Sequence, residues 1–156
     1  MIAVVQRVTG ASVKVGTVTV GEIGNGLLAL VSIVREDDAQ DVAWMASKLA
    51  SLRIFRGDAG SGERAGEQKH FDRSVSDIGG AILLVSNFTV AADTKRGRRP
   101  SFDRAAAPES GRVLFDHLIA SLRATGVPVA TGEFGGDMRV SLVNDGPATF
   151  IVSSRG

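Results

Sequence analysis

The sequence predicts an α+β domain built on a mostly antiparallel, barrel-like β-sheet with two main helices. Runs rich in valine and isoleucine open the chain, two segments with helical spacing interrupt it, and strand-like runs close it. Strands first, helices inserted and strands last is the element order of an α+β fold.

Residues 2–8, 12–20 and 27–34 are the opening strands, separated by Thr9-Gly10 and Gly24-Asn25-Gly26 and read as an antiparallel meander. Asp37 is placed to cap a helix running to residue 51, with Val42, Met45, Ala46, Leu49 and Leu52 on its core face. Residues 56–73 carry Gly57, Gly60, Gly62 and Gly66 among charged side chains and read as a mobile loop. Residues 81–90 form a buried strand. Pro108 and Gly126 bracket a second helix with Val113, Leu114, Leu118 and Leu122 as its stripe. Residues 138–143 and 149–152 are the closing strands. No linker or internal repeat appears, so residues 1–156 are expected to form a single domain.

A chain of 156 residues can bury roughly two-thirds of the surface its unfolded form exposes, without a staple. Cysteine is absent, which excludes disulfides, thiolate nucleophiles and zinc-thiolate sites and fits a reducing, cytoplasmic setting. The opening MIAVVQRVTGASVKV alternates instead of placing a basic region before an apolar block, and the longest apolar run, 26–34, is too short to span a bilayer. A soluble, untargeted protein with no membrane partner is expected. A net charge of +1 argues against a general nucleic-acid coat protein. One local exception is Thr94-Lys95-Arg96-Gly97-Arg98-Arg99-Pro100, with four cations in seven residues.

Familiar hydrolase machinery is missing: there is no G-x-S-x-G and no H-E-x-x-H. Of the two histidines, His70 falls in the charged loop and reads as solvated, while His117 borders the second helix's stripe. The glycine-rich segment lacks the Gly-Lys-Ser/Thr of a phosphate loop. Ser86, Asn87 and Thr89 sit in SNFTV (86–90) at the end of a strand, where by themselves they read as side chains satisfying local backbone. The cationic run by itself is a solvated loop. In SLVNDGPATF (141–150), Asp145-Gly146 between apolar runs signals a hairpin turn, yet Pro147 cannot donate to the ladder it would open.

Taken together, these segments resemble the D-aminoacyl-tRNA deacylases, which free D-amino acids from mischarged tRNA. The likeness runs from MIAVVQRV through GEIGNGLL and AADTKRGRRPSF to SLVNDGPATF. The family signatures SQFTL and NxGPVT stand here as SNFTV and NDGPAT; Asn87 replaces a glutamine, Val90 a leucine and Ala148 a valine. His70-Phe71-Asp72, where the family often has Lys-Met-Asn, lies in a lengthened loop.

The resemblance implies a cis Gly146-Pro147 bond whose two carbonyls face one way. It also implies a homodimer in which this Gly-cisPro pair enters the partner's active site and excludes L side chains, with Arg7 holding the loop; taken by itself, Arg7 reads as an exposed strand residue. Glycine at 146 is expected because a Cβ would obstruct that approach, or because its φ is positive. Ser86, Asn87, Phe88 and Thr89 become the catalytic pocket floor, and Lys95, Arg96, Arg98 and Arg99 the tRNA-binding cations. The reaction is ester hydrolysis at the terminal adenosine of D-aminoacyl-tRNA, assisted by the ribose 2′-hydroxyl, with glycyl-tRNA also accepted and no cofactor or metal required. The rivals are a tRNA-binding module that has lost catalysis and a relative editing L-alanine; Ser-x-Phe-Thr and Arg7 speak against both.

Overall fold

The computed structural model describes residues 1–58, 64, 69–95 and 97–155. Its strands are β1 (Ile2–Val15), β2 (Val18–Ile23), β3 (Gly26–Ser32), β4 (Ala81–Ser86), β5 (Val129–Thr131) and β6 (Met138–Ser153). The helices are α1 (Ala39–Ser51) and α2 (Pro108–Ala124). No helix among the described residues is long and apolar enough to cross a membrane.

The opening segments do not form a meander. Thr9-Gly10 does not break the chain; β1 continues through it, and the sheet order is β2-β1-β3-β4-β5, with β6 also on β1. One edge of β1 is shared, residues 2–8 pairing with β3 and 11–15 with β2, while β6 follows the other edge. The β1 pairings are antiparallel, and the β3-β4 and β4-β5 pairings are parallel. Closure of the barrel brings β2 against β5. A Cβ on Gly21 would stand 2.3 Å from the Thr131 carbonyl oxygen, so the approach requires glycine.

GLLALVS and AILLVS lack polar alternation because β3 and β4 are covered on both faces. Leu27, Ala29, Ile82 and Leu84 face the two-helix layer, and Leu28, Leu83 and Val85 fill the barrel interior with Val8 and Val13. Val42, Met45, Ala46 and Leu49 of α1 are buried as their spacing requires. Its cap is Asp38, not Asp37. The Asp38 carboxylate accepts from the Gln40 and Asp41 amides at 2.7 and 3.3 Å, and Asp41 reciprocates toward the Asp38 amide at 3.0 Å. Asp37 instead accepts from the Val34 amide at 2.7 Å and from the Met1 ammonium. On α2 the stripe is Gly111, Phe115, Leu118 and Leu122; Val113 points outward at 54% exposure and Leu114 is half-buried. The ridge that meets α1 follows four-three-four spacing from Gly111, which leaves position 113 on the far side.

The two closing strands are one. β6 runs unbroken to Ser153, and both flanks of NDGP pair with β1, so Asp145-Gly146 is not a hairpin turn. A hairpin would need the flanks to pair with each other; the long β1 edge captures both instead. Register passes from Gln6↔Thr149 to Val8↔Asn144, so Asp145, Gly146, Pro147 and Ala148 stand opposite Arg7 alone. Of the glycine-rich loop, Gly60, Gly62 and Gly66 lie outside the described residues; its stem is pinned by the Phe55↔Arg73 bridge.

Candidate active site

The expected strand over 81–90 stops at Ser86. There β4 is central and parallel to both neighbours, so its C-terminal end opens at the rim of the sheet. Asn87 donates its amide to the Val31 carbonyl at 2.8 Å, and the chain then tightens into a 3-10 turn, Phe88–Ala91. Asn87 is the cap of that turn. Its side-chain oxygen accepts from the Thr89 amide at 3.2 Å and the Thr89 hydroxyl at 2.5 Å.

A cavity of about 510 Å³ opens over this turn, with Ser86, Asn87 and Phe88 on its lining. Residues 134–136 and Pro108 supply other walls. The sequence reading missed the wall residues; an aromatic followed by two glycines, Phe134-Gly135-Gly136, is the signal that could have found them. Arg112 holds that wall, its guanidinium 4.8 Å over the Phe134 ring and its Nη2 donating to the Phe134 carbonyl at 3.0 Å. Phe88 is 58% exposed and meets Phe102 edge to face at 5.1 Å. Thr89 is exposed and is not on the cavity lining. Its hydroxyl proton is directed at an amide oxygen, which is no base.

The cationic run follows directly. Asp93 and Ser101 exchange both backbone hydrogen bonds at 2.9 Å and close a small loop, on which Lys95, Arg98 and Arg99 are exposed. Arg96 lies outside the described residues. Phe102, just past the loop's base, rests on Phe88 of the cavity lining. His70 and His117 are both exposed, and neither lines the cavity.

Arg7, Gly146 and Pro147 form a second group, away from the cavity lining. Arg7 is 4% exposed, so its possible role as an exposed strand residue is excluded. Its Nε donates to the Asp145 carbonyl at 2.8 Å and faces the Asp145 carboxylate at 3.0 Å; its Nη1 donates to the Ile54 carbonyl at 2.6 Å. Asn144 Nδ2 ties the neck of the bulge, donating to the carbonyls of Arg7 at 3.0 Å and Ala148 at 3.1 Å. Gly146 and Pro147 are exposed at its crest, and the bond joining them is cis. Gly146 is not among the positive-φ glycines, so backbone torsion does not demand glycine there. Space does: a Cβ would lie 2.2 Å from Asn144 Oδ1 and 3.1 Å from the Ala148 nitrogen.

A mostly apolar cleft of this size with a few converging polar groups is the usual form of a ligand site, here set at the open end of an α+β barrel. The family model described as D-Tyr-tRNA(Tyr) deacylase matches residues 4–153. The chain belongs to that family. It is 51% identical over 152 residues to a D-aminoacyl-tRNA deacylase of Pelobacter propionicus, covering 97% of this chain and 99% of that one. It is 48% identical over 155 residues to the Geobacter sulfurreducens D-aminoacyl-tRNA deacylase, covering 99% and 96%. Among solved structures, the c-Myc DNA unwinding element binding protein superposes with a TM-score of 0.90 at 36% identity over the whole of both chains. A "probable eukaryotic D-amino acid tRNA deacylase" shares the fold, with a TM-score of 0.76 at 16% identity over 97% of each chain.

Proposed function

We propose that this chain is a D-aminoacyl-tRNA deacylase, a hydrolase that cleaves the ester between a D-amino acid and the terminal adenosine of tRNA and so proofreads translation. Residues 1–156 act as a single domain in the cytoplasm. The observation that carries this reading is the cavity at the end of β4, lined by Ser86, Asn87 and Phe88 of the family signature. An aminoacyl ester is already activated, so fixed geometry and hydrogen-bond donors for the tetrahedral oxyanion suffice. The Asn87 and Thr89 N–H groups are taken by the Val31 carbonyl and the Asn87 side chain, so the Phe88 N–H is the donor of this turn aimed at the oxyanion, and the neighbouring ribose 2′-hydroxyl assists the reaction. Lys95, Arg96, Arg98 and Arg99 hold the acceptor-end phosphates.

Chiral selection works by exclusion across a twofold dimer. Gly146-Pro147 of one protomer stands in the cavity of its partner, beside the substrate's α-carbon, where hydrogen fits and an L side chain does not. Two observations support the dimer: the pair is exposed and does not line its own chain's cavity, and β6 has no second strand partner among the described residues while exposing Val143 and Ile151. Glycine has no side chain to reject and is also a substrate.

The test measures deacylation of D-tyrosyl-, L-tyrosyl- and glycyl-tRNA together with the solution mass. Cleavage of the D and glycyl esters but not the L ester, by a species of twice the chain mass, is expected. Equal cleavage of D and L esters, or full activity in a strict monomer at micromolar concentration, contradicts it.

A further inference from the structure

Four residues stand opposite one at the NDGP bulge, so the sheet ladder cannot hold Gly146-Pro147 in place, and side chains must do so. We propose that Asp145 is a positioning residue that sets chiral selectivity, its carboxylate fixing how far the Gly146-Pro147 pair projects from the sheet. The inference rests on the deacylase reading above and adds a residue to it.

Arg7 Nε meets Asp145 twice, through the main-chain carbonyl at 2.8 Å and through carboxylate Oδ2 at 3.0 Å. The carbonyl hydrogen bond is available to any residue at 145; the ion pair with the carboxylate is not. Arg7 is buried, and among the described residues Asp145 supplies the one carboxylate within ion-pair reach of it. A buried guanidinium without its counter-charge is held far less firmly.

The rest of Arg7 is fixed from behind. Nη1 is taken by the Ile54 carbonyl at 2.6 Å and lies 3.4 Å from the His70 carbonyl. The Phe71 ring sits 5.9 Å from its guanidinium carbon and packs edge-on against Phe150 at 5.7 Å. Asp145 Oδ1 also faces Arg56 at 3.8 Å. Residues 54–56 and 70–71 thus brace the bulge, and Asp145 transmits that brace to its neighbour Gly146. The ion pair adds attraction to the hydrogen bond that Arg7 Nε already donates to the Asp145 carbonyl. Exclusion of an L side chain is sensitive to displacements well under 1 Å, since a misplacement of about 1 Å can cost on the order of a hundredfold in rate. With the carboxylate gone, the pair is free to retreat and the L substituent gains room.

Asp145→Asn keeps the shape and removes the charge. Its kcat/KM for D-tyrosyl- and L-tyrosyl-tRNA is measured on folded protein of wild-type solution mass. The expected result is a D-over-L ratio lowered by about tenfold or more, with gain of L-ester cleavage as its main source. Arg56→Ala, which removes the longer and more exposed contact, lowers the ratio by less. Phe71→Ala, which removes the half-exposed ring behind Arg7, shifts it in the same direction and serves if Asp145→Asn does not fold. A wild-type ratio in Asp145→Asn, or equal losses on both esters, overturns the proposal while leaving the deacylase reading standing. A wild-type protein that does not prefer the D ester overturns both.

Discussion

A methyl group on residue 146 has no room. The Asn144 carboxamide it would strike is pinned through Nδ2 to two carbonyls, so yielding means breaking hydrogen bonds at the neck of the bulge. Gly146→Ala is therefore expected to cost about 2 kcal/mol, read from the urea midpoint, and to leave the protein folded. Its effect on D-tyrosyl-tRNA cleavage should be far larger, by loss of rate or by a narrowed D-over-L ratio. Unchanged rate and ratio in folded protein would reduce NDGP to a structural bulge. At Thr89 the expectation runs the other way. Its hydroxyl donates to Asn87 and does not line the cavity, so Thr89→Ala should retain most of the D-ester activity. tRNA ending in 2′-deoxyadenosine should react far more slowly. A dead threonine variant acting beside a normal deoxy substrate would sink the RNA-assisted route.

The elements decide how these residues meet. β4 delivers the polar turn because β3 and β5 flank it in parallel and its carboxyl end emerges at the barrel mouth, a common place for ligand sites. The loop closed by Asp93 and Ser101 follows from that turn and presents Lys95, Arg98 and Arg99 to solvent. Replacing Lys95 and Arg99 together with alanine should weaken tRNA binding. It should also flatten the salt dependence by about 0.7 to 0.9 log units of affinity per log unit of salt for each lost phosphate contact. An unchanged slope would make the loop a solvated surface and nothing more.

Across the whole molecule, the two ends of the chain converge on the start of α1. Arg155 binds the buried Asp41 carboxylate at 2.5 Å through Nη2, Ser154 donates to it at 2.6 Å, and the Asp38 amide completes the set. The Arg155 guanidinium foremost, with the Ser154 and Asp38 bonds, outweighs burial and holds the Asp41 carboxyl well below its ordinary value of 3.8. The sign follows from the ionised form being the one the fold prefers. Its stabilisation is fully present above the ordinary value and is lost as pH falls below it. Asp41→Asn should cost about 2 kcal/mol at neutral pH, since hydrogen bonds to a charged group are the ones removed. The melting temperature of the wild type should fall steadily on acidification below pH 4, and that of the variant much less. Parallel pH profiles would show that Asp41 does not carry the acid sensitivity.

The sequence by itself determined the helix face of α1, the buried character of β4, the element order of an α+β fold and both signature motifs, because periodicity and short motifs are local properties. It misjudged whatever depended on a distant partner. Local spacing placed the helix cap at Asp37, but the Val34 amide and the Met1 ammonium claim that carboxylate and Asp38 caps the helix instead. Asp145-Gly146 carries the local mark of a hairpin turn, against which Pro147 already spoke, and β1 is long enough to bind both flanks and turn the segment into a bulge. Val113 fits a helical stripe as well as Phe115 does, until α1 fixes which side of α2 is inside. Arg7 could be an exposed strand residue or a buried anchor by sequence alone. Tertiary structure decided it, because the bulge that Arg7 secures is brought to it by a strand more than a hundred residues away, and a buried charge is stable only where partners from elsewhere in the chain converge on it.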